Sequence, residues 1–180
     1  MIFVPTKLDG ALVIDLERLE DERGFFARSF CRREFEEHRL DPCVAQCNVS
    51  FNKRRGTLRG MHWQAAPHGE AKLVRVTRGA VWDVIVDLRP DSASYGDWLG
   101  VELTAEARRA LYVPPGVAHG FQTLVADTEL LYQMSTEYVA GAQRGFRWND
   151  PGFGITWPID PPFMNQRDAT FPDFPLARSR

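Results

Sequence analysis

The sequence has 180 residues, of which 44% are hydrophobic and 26% charged, and its formal net charge at pH 7 is −2. This length suits one domain, and the composition excludes a disordered chain. The small negative charge gives no reason to expect nucleic acid or an anionic membrane as a partner, because both recruit concentrated positive charge.

The N-terminus lacks a basic segment followed by an apolar one of signal-peptide length, and no apolar run approaches about 18 residues. The three cysteines, Cys31, Cys43 and Cys47, show neither CxxC spacing nor a partnering histidine pattern. We therefore expect free thiols in a reducing cytosol, and a cytoplasmic protein that does not enter a membrane.

Short apolar runs separated by turn residues dominate the chain. They are rich in Val, Leu, Ile and aromatic residues and lie at 11–15, 72–77, 80–87, 98–103 and 130–134. This series predicts an all-β sandwich or barrel rather than alternating β and α units. Only two stretches have a helical pattern: residues 31–40, and residues 104–109, which form one or two turns at most behind a possible Thr104 cap.

The C-terminal stretch predicts an irregular arm lying over the barrel, because it is rich in proline: Pro151, Pro158, Pro161, Pro162, Pro172 and Pro175. No linker or repeat divides the chain, so we expect a single domain over 1–180. Within it, we assign N-terminal strands and a short helix to 1–50, the barrel core to 51–140 and the arm to 141–180.

The segment 55–64 crowds two arginines, a histidine and a glutamine between glycines in an apolar strand context. Simple alternation places Leu58, Gly60 and His62 on one face of the strand, unless a bulge intervenes, which the glycines permit. Taken alone, His62 fits a core histidine beside surface arginines as well as it fits a functional group.

The segment 113–121 places Pro-Pro-Gly before His119, a PxGxxH pattern shared by many cupin barrels in which the histidine often ligates a metal. Metal cupins usually add an HxH pair and a glutamate on an earlier strand. Here that strand offers only His62, and two histidines without a carboxylate make a poor divalent site. We expect no bound catalytic metal.

Asp83 and Asp87 lie in the strongly apolar run 80–87, where an unpaired charge would be costly. Asp83 therefore needs a partner. A histidine is one candidate, since a carboxylate fixes the tautomer and orientation of an imidazole. A structural ion pair with Lys72 or Arg75 is the alternative.

Together these segments resemble the dTDP-4-dehydrorhamnose 3,5-epimerase family, whose members are double-stranded β-helix (cupin, or jelly-roll) barrels with short peripheral helices. The resemblance covers nearly the whole chain in order. It runs through 21–26, 46–48, 55–62, 72–75, 83–87, 98–103, 113–121, Tyr132, 147–150 and 167–169.

The resemblance implies epimerisation of a nucleoside-diphosphate 4-keto-6-deoxyhexose at C3, C5 or both, as in dTDP-rhamnose biosynthesis, without a cofactor. It makes His62 the general base, Asp168 its carboxylate partner and Tyr132 the acid on the opposite face. Lys72 would be the cation beside the enolate oxygen, where a fixed donor is worth roughly 3–4 kcal/mol. Without the family pattern, Tyr132 reads as a core residue and Asp168 as a solvated carboxylate.

The resemblance also implies substrate-binding positions and a homodimer. Arg59 and Arg23 would contact the diphosphate, with Arg23 supplied by the partner subunit because the N-terminal strands are exchanged in the dimer. The other implied positions are Gln46 and Asn48 for nucleotide or sugar, Phe26 and Tyr138 near the base, Asp83 and His119 as supporting pocket groups, and Arg167.

Two positions depart from the family pattern. Arg28 stands where the family usually has a glutamate facing the nucleotide, and Glu70 replaces a common glutamine. Arginine cannot accept a hydrogen bond, so Arg28 predicts either a changed nucleotide or phosphate contact, or an exposed residue without a role.

Three other functions fit parts of the pattern: a 3,4-ketoisomerase-like cupin, a metal-dependent cupin enzyme and a non-catalytic sugar-nucleotide binding module. Binding alone needs no acid and base in opposition, which argues against the last.

Overall fold

The computed structural model describes residues 1–176, and its regular secondary structure is almost entirely β-strand. Its two helices are short, α1 (Arg32–Glu37) and α2 (Gln166–Ala169). The strands are β1 (Ile2–Pro5), β2 (Leu12–Asp15), β3 (Arg18–Asp21), β4 (Gly24–Ala27), β5 (Gln46–Asn52), β6 (Leu58–Gln64), β7 (Lys72–Arg78), β8 (Ala80–Asp87), β9 (Trp98–Thr104), β10 (Ala110–Val113), β11 (Val117–Thr123), β12 (Thr128–Met134) and β13 (Gln143–Gly145).

The strands form two facing antiparallel sheets. One has the order β1-β2-β10-β7-β12-β5 and the other β13-β6-β11-β8-β9, while β3 and β4 pair only with each other as a hairpin. The predicted all-β barrel is confirmed, and each of the five predicted apolar runs coincides with a strand to within two residues at either end.

Alternation along each strand decides which side chains lie between the sheets. Val74 and Val76 of β7 and Leu130 of β12 meet Val81 and Ile85 of β8 from the opposite sheet, and these side chains are almost completely buried. Successive strands place Val, Leu and Ile at these interior positions, and burial of this apolar area is the main stabilising term.

The outer faces of both sheets are also partly covered. Phe35 of α1 packs on the outside of the six-stranded sheet against Ile14 and Tyr112. Phe146 and Phe153 from the C-terminal arm cover the outside of the five-stranded sheet. These two residues of the segment 141–180 therefore pack on the barrel, and residues 177–180 fall outside the described part of the chain.

The structure differs from the sequence-based expectations at three places. Residues 104–109 form no helix: the Thr104 hydroxyl accepts from the Ala107 amide at 3.0 Å, as expected of a cap, but the chain makes a single turn and continues into β10. Helix α2 was not predicted. The division at residue 50 falls inside β5, so the first segment contributes three strands, β1, β2 and β5, to the six-stranded sheet.

The fully buried carboxylate of Asp87 braces the loop between β8 and β9. It accepts hydrogen bonds from Arg89 at 2.7 and 2.8 Å and from the Ser94 hydroxyl at 2.7 Å, and also from Ser92. Burial, the largest single influence, favours the neutral acid, but these donors together lower the pKa of Asp87 to about 2.

Candidate active site

A cavity of about 500 Å³ opens at one end of the space between the sheets. Two strands that supply the apolar core, β7 and β12, also supply parts of its walls, because their interior positions change from apolar to polar towards this end. On β7, Lys72 lines the cavity while Val74 and Val76 lie in the core. On β12, Tyr132 lines the cavity and Leu130 lies in the core. This volume is in the range of small-molecule sites.

A bulge in β6 brings Arg59 and His62 to the same cavity. In the pairing with β11, His119 lies opposite His62 and Phe121 opposite Arg59, so two residues of β6 face the single residue Gly120. The bulge that the glycines permit is therefore present, and the simple alternation, which placed Leu58 and His62 on one face, does not apply.

Glycine is needed on both sides of this bulge. Gly60 has φ +134°, and a Cβ built there would lie 2.6 Å from Gly120 Cα. A Cβ at Gly120 would in turn lie 2.7 Å from Met61 Sδ. Because Gly60 and Gly120 have no side chains, the backbones of β6 and β11 can approach closely at the bulge. This close pairing fixes the position of His62.

His62 is hydrogen-bonded to Asp168. The distance from His62 Nε2 to Asp168 Oδ1 is 2.9 Å, and the other carboxylate oxygen accepts from the Gly60 amide at 3.3 Å. Helix α2 holds Asp168 in place, since Asn165 caps it by accepting from the Asp168 amide at 2.7 Å. The ring of Phe171 packs edge-on against His62 at 5.8 Å.

The ionised carboxylate decides the tautomer of His62. Because it only accepts hydrogen bonds, the Nε2 atom carries the proton and Nδ1 is left with a free lone pair. Burial, the largest single influence on Asp168, favours the neutral acid, but the hydrogen bond and charge of His62, the Gly60 amide and Arg167 together hold the pKa of Asp168 below its ordinary value. The pair therefore presents an oriented imidazole base.

A second histidine–carboxylate pair lies deeper. His119 Nε2 is 2.9 and 3.0 Å from the two oxygens of Asp83. The structure thus selects the histidine partner for Asp83 over an ion pair. Burial raises the pKa of Asp83 despite the nearby charges of His119 and Lys72. His119 lines the cavity, whereas Asp83 lies behind it and does not.

Tyr132 and His62 enter the cavity from opposite sheets, Tyr132 on β12 and His62 on β6. Burial raises the pKa of the Tyr132 hydroxyl well above its ordinary value, and the negative charge of Asp83 adds to this effect. The hydroxyl therefore stays protonated at neutral pH. A planar reacting group held between the two sheets would have the base on one side and this hydroxyl on the other.

Lys72 is ion-paired with Glu70 inside the cavity. Its Nζ is 2.8 Å from Glu70 Oε1, and each side chain is only 8% exposed. The second carboxylate oxygen of Glu70 accepts from the Gln64 amide nitrogen at 3.0 Å. The cation therefore has a fixed position.

The mouth of the cavity carries Arg59 and a group of three side chains. Arg59 donates from Nε to Asn52 at 2.8 Å. Gln143 accepts from the Tyr138 hydroxyl at 2.8 Å and from Arg167 at 2.9 Å. Gln143 therefore holds the Arg167 guanidinium and the Tyr138 ring close together, and Arg59 adds a second guanidinium to the lining.

The cavity brings together ten of the side chains that the sequence singled out. They are Gln46, Asn48, Arg59, His62, Lys72, His119, Tyr132, Tyr138, Arg167 and Asp168. Eight further lining residues were not predicted to contact substrate: Ser50, Trp63, Gln64, Glu70, Phe121, Met134, Gln143 and Asn165. Ser50 continues the two-residue spacing of Gln46 and Asn48 and was predictable, whereas Gln143 carries no comparable signal.

Besides Asp83, three predicted binding residues lie outside the cavity of their own chain. Arg23 is at the β3–β4 turn, where it pairs with Asp21, and Phe26 on β4 is 74% exposed. Arg28 pairs with Glu34 at 2.6 Å, and this hydrogen bond, followed by that of the N-terminal ammonium, lowers the pKa of Glu34 to about 2. Within this chain, Arg28 helps to tie α1 to the N-terminus.

Among residues 1–176, no group of three or more His, Cys, Asp or Glu side chains is arranged to hold a metal ion. Neither helix in this range is long or apolar enough to cross a membrane.

Comparison with known proteins gives a consistent result. The family model described as dTDP-4-dehydrorhamnose 3,5-epimerase matches residues 5–175. A curated dTDP-4-dehydrorhamnose 3,5-epimerase from Sinorhizobium fredii is 39% identical over 173 residues, which is 96% of this chain and 89% of that protein.

Two solved structures are similar over nearly their whole length. The dTDP-4-dehydrorhamnose 3,5-epimerase from Elizabethkingia anophelis NUHP1 has a TM-score of 0.94 and 36% identity, covering 97% of this chain and 96% of that one. The Bacillus anthracis enzyme, solved with TDP and PPi bound, has a TM-score of 0.92 and 37% identity, covering 96% and 99%.

Proposed function

The chain belongs to the dTDP-4-dehydrorhamnose 3,5-epimerase family, and on this premise we propose that it epimerises a thymidine-diphosphate 4-keto-6-deoxyhexose at C3 and C5. The observation that carries the proposal is the arrangement of the cavity. A histidine oriented by a carboxylate, His62 with Asp168, faces a protonated phenol, Tyr132, from the opposite sheet.

His62 removes the proton. The ketone at C4 acidifies the C–H bonds at both C3 and C5, so a neutral imidazole can break either bond at cellular pH. The proton moves to Nδ1, the only ring nitrogen with a free lone pair, and Asp168, 2.9 Å from Nε2, stabilises the imidazolium that forms. The electron pair of the broken C–H bond moves to the oxygen at C4 and gives an enolate.

Lys72 stabilises the enolate. Its ammonium is the buried cation of the cavity and is already fixed by its ion pair with Glu70. A charge placed before the reaction begins costs no reorganisation when the negative oxygen forms, which is why such donors contribute strongly to catalysis.

Tyr132 completes the inversion by donating its proton to the carbon from the face opposite His62. The carbon then has the reverse configuration, and the tyrosinate recovers a proton from solvent while His62 loses one. Because burial makes the Tyr132 tyrosinate unfavourable, return of a proton to its oxygen is strongly favoured. No electron leaves the substrate, so the cycle balances without a redox partner.

Arg59 and Arg167 are the proposed contacts of the diphosphate, and Tyr138 that of the thymine ring. Arg59 uses only Nε for Asn52, and its terminal nitrogens can form paired hydrogen bonds with phosphate oxygens. Tyr138 is 54% exposed at the cavity mouth, where its ring can stack on a base. The Bacillus anthracis relative was solved with TDP and PPi bound, which supports a thymidine diphosphate as the ligand.

Deuterium incorporation tests the reaction. The protein is incubated in heavy water with the dTDP, UDP and GDP forms of a 4-keto-6-deoxyhexose, and the sugar is followed by NMR. We expect deuterium at C3 and C5 of the dTDP sugar and its loss in His62→Ala, while the exposed control His68→Ala behaves as wild type. Absence of exchange with every sugar contradicts the proposal, and exchange at C3 alone makes the protein a monoepimerase.

We also propose a homodimer in which the β3–β4 hairpin reaches the cavity of the partner. The hairpin pairs with no other strand of its own chain, and it exposes Leu19 and Phe26. Val49 and Phe51 form an exposed apolar strip on β5, an edge strand of the six-stranded sheet. Contiguous apolar surface of this kind is typical of an interface.

Mixing two inactive variants tests this arrangement. If Arg23 serves the partner's cavity, a mixed dimer of Arg23→Ala and His62→Ala has one complete site. Random mixing then restores about a quarter of the wild-type activity, because half of the dimers are mixed and each has one of two sites intact. No recovery on mixing, or a monomer in light scattering, contradicts the exchange.

We propose that the enzyme is cytoplasmic. Cys31, Cys43 and Cys47 are all free, as expected in a reducing compartment. Titration of three reactive thiols in denatured protein purified from the cytosol, without reductant, tests this assignment.

A further inference from the structure

The ion pair between Glu70 and Lys72 has a feature that the epimerisation mechanism does not need: an acidic residue inside a cavity that is proposed to bind an anion and form an enolate. Both side chains are 92% buried, and the distance from Nζ to Oε1 is 2.8 Å. A carboxylate here disfavours negative charge nearby, so its presence calls for a compensating role.

Gln64 determines where Glu70 stands. The Gln64 amide nitrogen faces three acceptors, the carbonyls of His68 and Glu137 at 3.3 and 3.2 Å and Glu70 Oε2 at 3.0 Å. Its amide oxygen accepts from the backbone of Val139 at 2.7 Å. The amide therefore has one favourable orientation, and it presents N–H to Glu70.

The two oxygens of Glu70 thus each receive a hydrogen bond from a donor, Gln64 on one side and Lys72 on the other. A lysine side chain has four rotatable bonds, and a lysine without a partner would sample many positions in a cavity of this size. We propose that Glu70 is a positioning residue that fixes the Lys72 ammonium where the enolate oxygen forms. This inference rests on the proposed function, because it takes the enolate from that mechanism.

The substitution Glu70→Gln keeps the shape of the side chain and removes both its charge and one acceptor. A glutamine amide has a single oxygen, so its NH₂ group must point at a donor, either Gln64 or Lys72. Because the family commonly has glutamine at this position, the expected loss applies to this chain, in which the carboxylate of Glu70 holds Lys72. We expect about a tenfold fall in kcat with KM changed less than twofold, since fixing the ammonium matters only when charge develops.

The side-chain ammonium can be observed directly. The sequence has only three lysines, and Lys7 and Lys53 are exposed. In protein labelled with ¹⁵N-lysine, the hydrogen-bonded ammonium of Lys72 exchanges slowly with water and gives a sharp Nζ–H signal, assigned by its loss in Lys72→Met. We expect this signal in the wild type and in the control Glu36→Gln, whose carboxylate is exposed on α1, and not in Glu70→Gln.

Kinetics in two backgrounds complete the test. In the Lys72→Met background, Glu70→Gln should have no further effect on kcat. An equal tenfold loss there, an unchanged kcat in the single variant, or no slow Lys72 signal in the wild type overturns the proposal. If the proposed function is wrong, the wild type incorporates no deuterium into the sugar. The Lys72 ammonium signal still reports in that case whether Glu70 holds Lys72, so the two failures can be told apart.

Discussion

Replacing Asp168 with asparagine should disable the base while leaving the cavity intact. In the wild type, one carboxylate oxygen lies 2.9 Å from His62 Nε2 and the other accepts from the Gly60 amide at 3.3 Å. An asparagine must turn its oxygen towards the Gly60 N–H, which puts its NH₂ group against His62 Nε2. The imidazole then carries its proton on Nδ1, where the base needs a lone pair.

The magnitude follows from the lost charge. Two unit charges about 4 Å apart interact by about 4 kcal/mol at an effective dielectric constant near 20. If half of the charge on the imidazole has formed in the transition state, the Asp168→Asn variant loses about 2 kcal/mol, or roughly 30-fold in kcat, and full charge development raises this to roughly 1,000-fold. KM should change by less than about threefold, because substrate contacts are untouched.

The assay is the rate of deuterium incorporation at C3 and C5 under saturating sugar nucleotide. Circular dichroism and the thermal midpoint check that the variant is folded. A kcat within threefold of wild type in a folded Asp168→Asn protein refutes the assignment of Asp168 as the residue that orients the base.

Three other expectations follow from the same structure. Tyr132→Phe should lower formation of the inverted product more than about 100-fold, while solvent deuterium still enters the substrate carbon because His62 can return a proton to the face it came from. NMR measures inversion and deuterium incorporation separately. Equal losses of both would contradict the separate roles of Tyr132 and His62. Gly60→Ala should lower the free energy of unfolding by more than about 2 kcal/mol in urea denaturation, because the backbone there has positive φ and the added Cβ meets the neighbouring strand. The control Gly141→Ala adds a Cβ in open space and should change that free energy by no more than about 0.5 kcal/mol. The depressed pKa of Asp87 contributes about 2 kcal/mol to the free energy of unfolding, fully present above about pH 4 and lost as the pH falls towards 2. The stability advantage of wild type over Asp87→Asn should therefore shrink by that amount between pH 5 and pH 2. A difference that stays constant over this range would count against the role of Asp87 in bracing the loop.

The sequence was sufficient for the strands because their apolar runs have a strong period. Lys72–Arg78 and Ala80–Asp87 coincide with predicted runs because Val and Ile at alternate positions fit only a strand with a buried face. The helix at Gln166–Ala169 was missed, although its Asn165 cap three residues before an acidic residue is a start signal. Four residues are too few to show a helical period.

The site was only partly predictable. The pairing of His62 with Asp168 joins residues 106 positions apart, and nothing in their local sequence connects them. Only the family resemblance proposed it. The position of Arg59 beside His62 depends on the β6 bulge, which changes the side of every residue after it. The Glu70–Lys72 pair was missed for a different reason, because a glutamate two residues before a lysine usually marks a solvated surface.

The wall strands β7 and β12 each have an apolar half in the core and a polar half in the cavity, and this division has a consequence for how the enzyme tolerates change. A sequence change at the polar end alters which groups meet the sugar but leaves the strand pairing intact, because register is specified by the apolar end. New substrate preferences can therefore arise by single substitutions on an unchanged barrel. The opposite is not true: a slip of β7 by one residue would turn Lys72 out of the cavity, and the same slip of β12 would turn out Tyr132.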